Sequence, residues 1–148
     1  MKVGCLPIPN ELVALIEAGR WPRTSAEANR QNLRPPKIPT ERVQRIAPDE
    51  SLIFLYSPPF GTGESLIANG DQFWGAPDQS DPPGDIAFDR SVIVGDFGLG
   101  SDTAIALDYR NSIESPSVIR LRWSSDGRHN RWVLAAPSFQ RFAELLEL

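Results

Sequence analysis

Residues 91–109 read Ser91-Val92-Ile93-Val94-Gly95-Asp96-Phe97-Gly98-Leu99-Gly100-Ser101-Asp102-Thr103-Ala104-Ile105-Ala106-Leu107-Asp108-Tyr109. Val92-Ile93-Val94 is an apolar, β-branched run of the kind a buried strand uses. Gly98 and Gly100 supply the backbone freedom that a tight strand-to-strand turn requires. From Thr103 the chain alternates again, with Ile105, Leu107 and Tyr109 on one face and Ala104, Ala106 and Asp108 on the other. Two strands joined by so short a connection pair antiparallel. Asp96 and Asp102 flank the turn, where a short carboxylate accepts backbone N–H bonds.

Outward from this pair, the segments alternate between the two periods. Leu52-Ile53-Phe54-Leu55-Tyr56 is a continuous apolar run ended by Pro58-Pro59, and predicts a further buried strand. In residues 117–123, Ile119, Leu121 and Trp123 point inward while Arg120 and Arg122 point outward. Asp126-Gly127 marks a hairpin turn before a last strand over 131–135. At the N-terminal side, Leu6-Pro7-Ile8-Pro9 is extended. Asn10 caps a helix that buries Leu12, Leu15 and Ile16 and stops at Gly19. Residues 20–38 read as loop with a helical turn near Glu27. Thr40 caps a short helix to Ile46, which Pro48 ends. At the far end Ser138 opens a helix with Phe139, Phe142, Ala143 and Leu146 at i, i+3, i+4 and i+7 spacing, a face that packs on the sheet. The fold class that follows is α+β, one domain over 1–148, with about five mainly antiparallel strands flanked by an N-terminal and a C-terminal helix. Residues 60–84 are rich in Gly, Pro and Asp and read as a long loop, either functional or partly mobile, pinned to the core by Phe73 and Trp74.

The net charge of -4 conceals a strong asymmetry. Between Gly61 and Tyr109 stand nine acids, Glu64, Asp71, Asp78, Asp81, Asp85, Asp89, Asp96, Asp102 and Asp108, against one base, Arg90. The flanks hold ten acids and fourteen bases. Such a field recruits a basic protein and repels nucleic acid. A basic stretch, Arg20, Arg23, Arg30, Arg34, Lys37, Arg42 and Arg45, precedes it and reads as a complement to an acidic surface or as a solvated face. No apolar run is long enough for a membrane span. The single cysteine, Cys5, admits no internal disulfide and suits a reducing cytoplasm.

Catalytic constellations are scarce. One Cys and one His cannot furnish a zinc site of the usual kind, and no calcium-loop pattern is present. His129 falls in a hairpin tip, away from any nucleophile in the sequence, and Cys5 lies near the N-terminal end. Asp96-Phe97-Gly98 matches a kinase metal-binding triplet in letters but lacks the phosphate loop, lysine and catalytic loop that give it meaning. The glycines around it precede a strand rather than a helix, so they do not form a dinucleotide fingerprint. No cofactor and no metal are expected. Trp123 and Trp132 read as core, whereas Trp21 and Trp74 read as interface aromatics.

Several segments together resemble the Smi/Knr cell-wall-assembly regulator family of the SUKH superfamily: residues 52–60 (LIFLYSPPF), 85–109 (DIAFDRSVIVGDFGLGSDTAIALDY), 118–123 (VIRLRW), 130–133 (NRWV) and 136–146 (APSFQRFAELL). The resemblance implies a SUKH-like sheet flanked by helices and a non-catalytic role. Many bacterial members of that family are immunity proteins that neutralise toxins, often nucleases. It carries over no catalytic residue, so the binding candidates come from the charge map: Trp74, Asp78, Asp81, Asp85, Asp89, Asp96 and Asp102. The expectation is a cytoplasmic module that binds a protein partner, a basic toxin domain, and neither nucleic acid nor membrane. A regulatory scaffold of the same fold and a small carboxylate-dependent hydrolase are the alternatives.

Overall fold

The computed structural model describes residues 1–31, 38–68, 86–98, 103–123 and 130–148, with Trp123 and Asn130 described by backbone alone. Strands β1 (Lys2–Val3) and β2 (Leu6–Pro7) form a small hairpin around Gly4, whose φ of 58° suits a residue without a Cβ. Helices α1 (Asn10–Glu17), α2 (Ser25–Arg30) and α3 (Thr40–Ile46) follow. Next come β3 (Phe54–Leu55), β4 (Gly61–Thr62), α4 (Gly63–Ala68) and a 3-10 turn at Phe88–Arg90. The main sheet is completed by β5 (Ser91–Asp96), β6 (Ala104–Asp108), β7 (Ser117–Trp123) and β8 (Asn130–Ala136), and α5 (Phe139–Leu146) closes the chain. Its order is β3-β5-β6-β7-β8, with β4 sharing the β5 edge with β3, and every pairing is antiparallel. The architecture is α+β, as the two periodicities require.

Both faces of the central strands are buried. Val92, Val94, Ile105, Leu107 and Tyr109 meet Leu12, Ile16, Val43, Ile46 and the Phe139, Phe142 and Leu146 stripe of α5. The opposite face carries Ile93, Ala104, Ala106, Ile119, Leu121 and Trp132, packed with Leu66 and Ile67 of α4, Phe88 of the 3-10 turn and Ile86 just before it. The alternation of Ile105, Leu107 and Tyr109 against Ala104 and Ala106 is as the sequence predicts. Gly95 is demanded by a close approach: a Cβ there would stand 2.6 Å from the Phe54 carbonyl oxygen. The β5–β6 register also shifts between Ile93 and Gly95, a bulge that re-aims the strand end toward Asp96.

Several expectations need correction. Asn10 is the first helical residue, Pro9 is the cap, and no side chain caps α1. Pro39 plays the same part for α3, so Thr40 is not a cap and its hydroxyl donates instead to the Ser51 carbonyl. The strand expected over Leu52–Tyr56 shrinks to Phe54–Leu55, with Leu52 exposed. The expected long loop begins instead with β4 and α4; a six-residue helix opened by Gly63 is too short to display a period of 3.6. The rest of that stretch, with Phe73 and Trp74, lies outside the described residues. So do the Asp126-Gly127 turn and His129.

The α5 boundary is the clearest success. Ser138 accepts the Arg141 N–H at 3.1 Å, one of the donors a helix start leaves unmatched. Replacing Ser138 by alanine is expected to cost about 1 kcal/mol, and replacing it by glycine a few tenths. Urea unfolding with an unchanged m-value checks this; equal losses for both variants would show that the hydroxyl is not the cap.

Candidate functional site

The four described acids of the acidic middle divide into two kinds. Glu64, on α4, and Asp89, on the 3-10 turn, are exposed and make no ion pair among the described residues. They sit on the side of the sheet that α4 covers. Asp96 is only 4% exposed. Its Oδ2 accepts the Tyr56 hydroxyl at 2.5 Å and its Oδ1 accepts the Gly98 N–H at 2.9 Å. It is therefore a turn-building carboxylate, in the local role its position predicts, and a poor candidate for meeting a partner. The signal was available: Asp96 ends a strand whose neighbours Val94 and Phe97 are apolar, a setting that encloses a carboxylate. Asp108 is likewise buried and holds the Arg110 guanidinium at 2.8 Å and the Arg110 N–H at 3.1 Å. Trp74, Asp78, Asp81, Asp85 and Asp102 lie outside the described residues.

The basic stretch engages acids elsewhere. Arg23 forks onto Glu27, with Nη2 to Oε1 at 2.8 Å. The hydrogen bonds from Arg23 hold the Glu27 carboxyl down to about 2. Arg42 and Arg45 both reach the Glu147 carboxylate at 2.9 Å, and Arg20 donates to the Glu147 carbonyl at 3.3 Å. Arg45 also donates to the Leu145 carbonyl at 3.1 Å. Three arginines thus cover the C-terminal end of α5, where unmatched carbonyls and the negative end of the helix dipole favour cations. Arg34 and Lys37 lie outside the described residues.

Trp21 is not an interface residue. It is 1% exposed, its indole N–H donates to the Tyr56 carbonyl at 2.7 Å, and its ring tilts against Phe139 at 5.8 Å. Arg120 is not outward in the sense expected either. The face opposite Ile119 and Leu121 is also roofed, and Arg120 is 4% exposed beneath Asp49, whose Oδ1 it reaches at 2.6 Å. Arg122, on the same face, is exposed as expected and lies 3.7 Å from Asp49 Oδ2.

Beside Trp21 opens a cleft of about 540 Å³ bordered by α2, α3, β3 and the end of α5. Gln31 shapes one wall. Its amide accepts the Leu55 N–H at 3.0 Å and donates to the Leu55 carbonyl at 2.8 Å, so a side chain does what a neighbouring strand would do for β3. Among the described residues no group of three or more His, Cys, Asp or Glu is placed to hold a metal ion, and Cys5 is exposed on the N-terminal hairpin. No helix among them is long and apolar enough to cross a membrane. Comparison with protein-family models, with curated proteins and with solved structures returns no match.

Proposed function

We propose that this chain is a non-catalytic protein-binding module whose acidic side receives a basic protein partner. The observation that carries this reading is how the ion pairs are distributed. Arg23, Arg42, Arg45, Arg110, Arg120 and Arg141 are matched to Glu27, Glu147, Asp108, Asp49 and Glu144. None of these pairs reaches Glu64 or Asp89. Among the described residues the exposed acids on the α4 side are therefore not neutralised from within, and their field extends into solvent, where it speeds encounter with a cationic surface.

In its finer form the proposal is a cytoplasmic immunity-type protein of SUKH-like fold that occludes a basic toxin domain. The resemblance of residues 52–60, 85–109, 118–123, 130–133 and 136–146 supports that form. The hydrolase alternative is disfavoured by the cleft chemistry. Glu27 is held ionised by Arg23, the wrong direction for a general acid, and Glu147 is occupied by two arginines.

The experiment is a low-salt pull-down from the native lysate, followed by mass spectrometry. The bait is compared with a variant carrying Glu64→Lys and Asp89→Lys. The expected result is one basic polypeptide, released by salt and retained at least about tenfold less by the variant. Equal retention by both baits, or capture that salt does not weaken, overturns the acidic-side reading.

A further inference from the structure

We draw no further inference here: the strongest candidate, the outer edge of the main sheet that β8 leaves open among the described residues with Leu134 62% exposed on it, carries nothing, because a bulge at Ala135 interrupts that edge and nothing in the structure shows what covers it.

Discussion

Replacing Trp21 by alanine will destabilise the fold by about 3–5 kcal/mol, the range for emptying a large aromatic site in a core. The side chain is enclosed between α5 and the β3 segment, packed on Phe139, with its indole N–H on the Tyr56 carbonyl. Alanine removes the ring and leaves that carbonyl without its donor. A domain of this size is stable by only about 5–15 kcal/mol, so the loss is a large share of the total. Urea unfolding should show it as a fall in midpoint at constant m, and the thermal midpoint should drop by roughly 2–4 °C per kcal/mol. Trp21→Phe divides the effect, because it keeps most of the apolar area and forfeits the hydrogen bond; its expected loss is about 1–2 kcal/mol. A loss below about 1 kcal/mol for alanine would mean that Trp21 is at the surface, where the local sequence alone would place it.

That local sequence shows where reading a chain by period reaches its end. Val92-Ile93-Val94 and the alternation through Tyr109 declare strands because each side chain's face follows from its own position. Phe139, Phe142, Ala143 and Leu146 declare a helix for the same reason. Trp21 stands between Arg20 and Pro22 in polar surroundings, and its burial depends on α5, more than a hundred residues further along. Arg120 fails similarly. Alternation correctly opposes it to Ile119 and Leu121, but period says nothing of whether the second face is covered. Asp49, the acid that makes its burial tolerable, is 71 residues away. The α4 helix is hidden by its own brevity. Of the expected binding acids, Asp96 was legible as a turn former, and the sequence count of charges overstated the surface by including it and Asp108. The cleft had no local sign at all, since α2, α3, β3 and the end of α5 each contribute only a few residues to it.

The Arg120–Asp49 pair is expected to respond with opposite signs to its two simplest substitutions. The guanidinium is nearly enclosed, with Phe97 5.8 Å from its centre, and its Nε and Nη1 have no hydrogen-bond partner among the described residues. Among the described residues only Nη2 is engaged, by Asp49 at 2.6 Å. Removing the acid leaves a buried cation without its counter-charge. Such a loss reaches about 3–5 kcal/mol when both groups are buried. The Asp49 side chain is 42% exposed and water screens the stranded charge, so Asp49→Ala should cost about 2 kcal/mol. Arg120→Met keeps the long apolar stem, removes the unmatched donors and frees an acid that solvent can hydrate. It should be neutral or stabilising by about 1 kcal/mol. The double variant should resemble Arg120→Met, because no cation then remains to strand. Acidity adds an independent check. The hydrogen bond from Arg120 outweighs desolvation and holds the Asp49 carboxyl below its ordinary value. A carboxyl depressed on folding contributes stability above its unfolded pKa and loses it as pH falls through the folded value. The parent should therefore lose more stability than Arg120→Met below the ordinary carboxylate range, and the two should run parallel near neutrality. Parallel curves throughout, together with an unchanged Asp49→Ala, would mean that the pair does not form in solution.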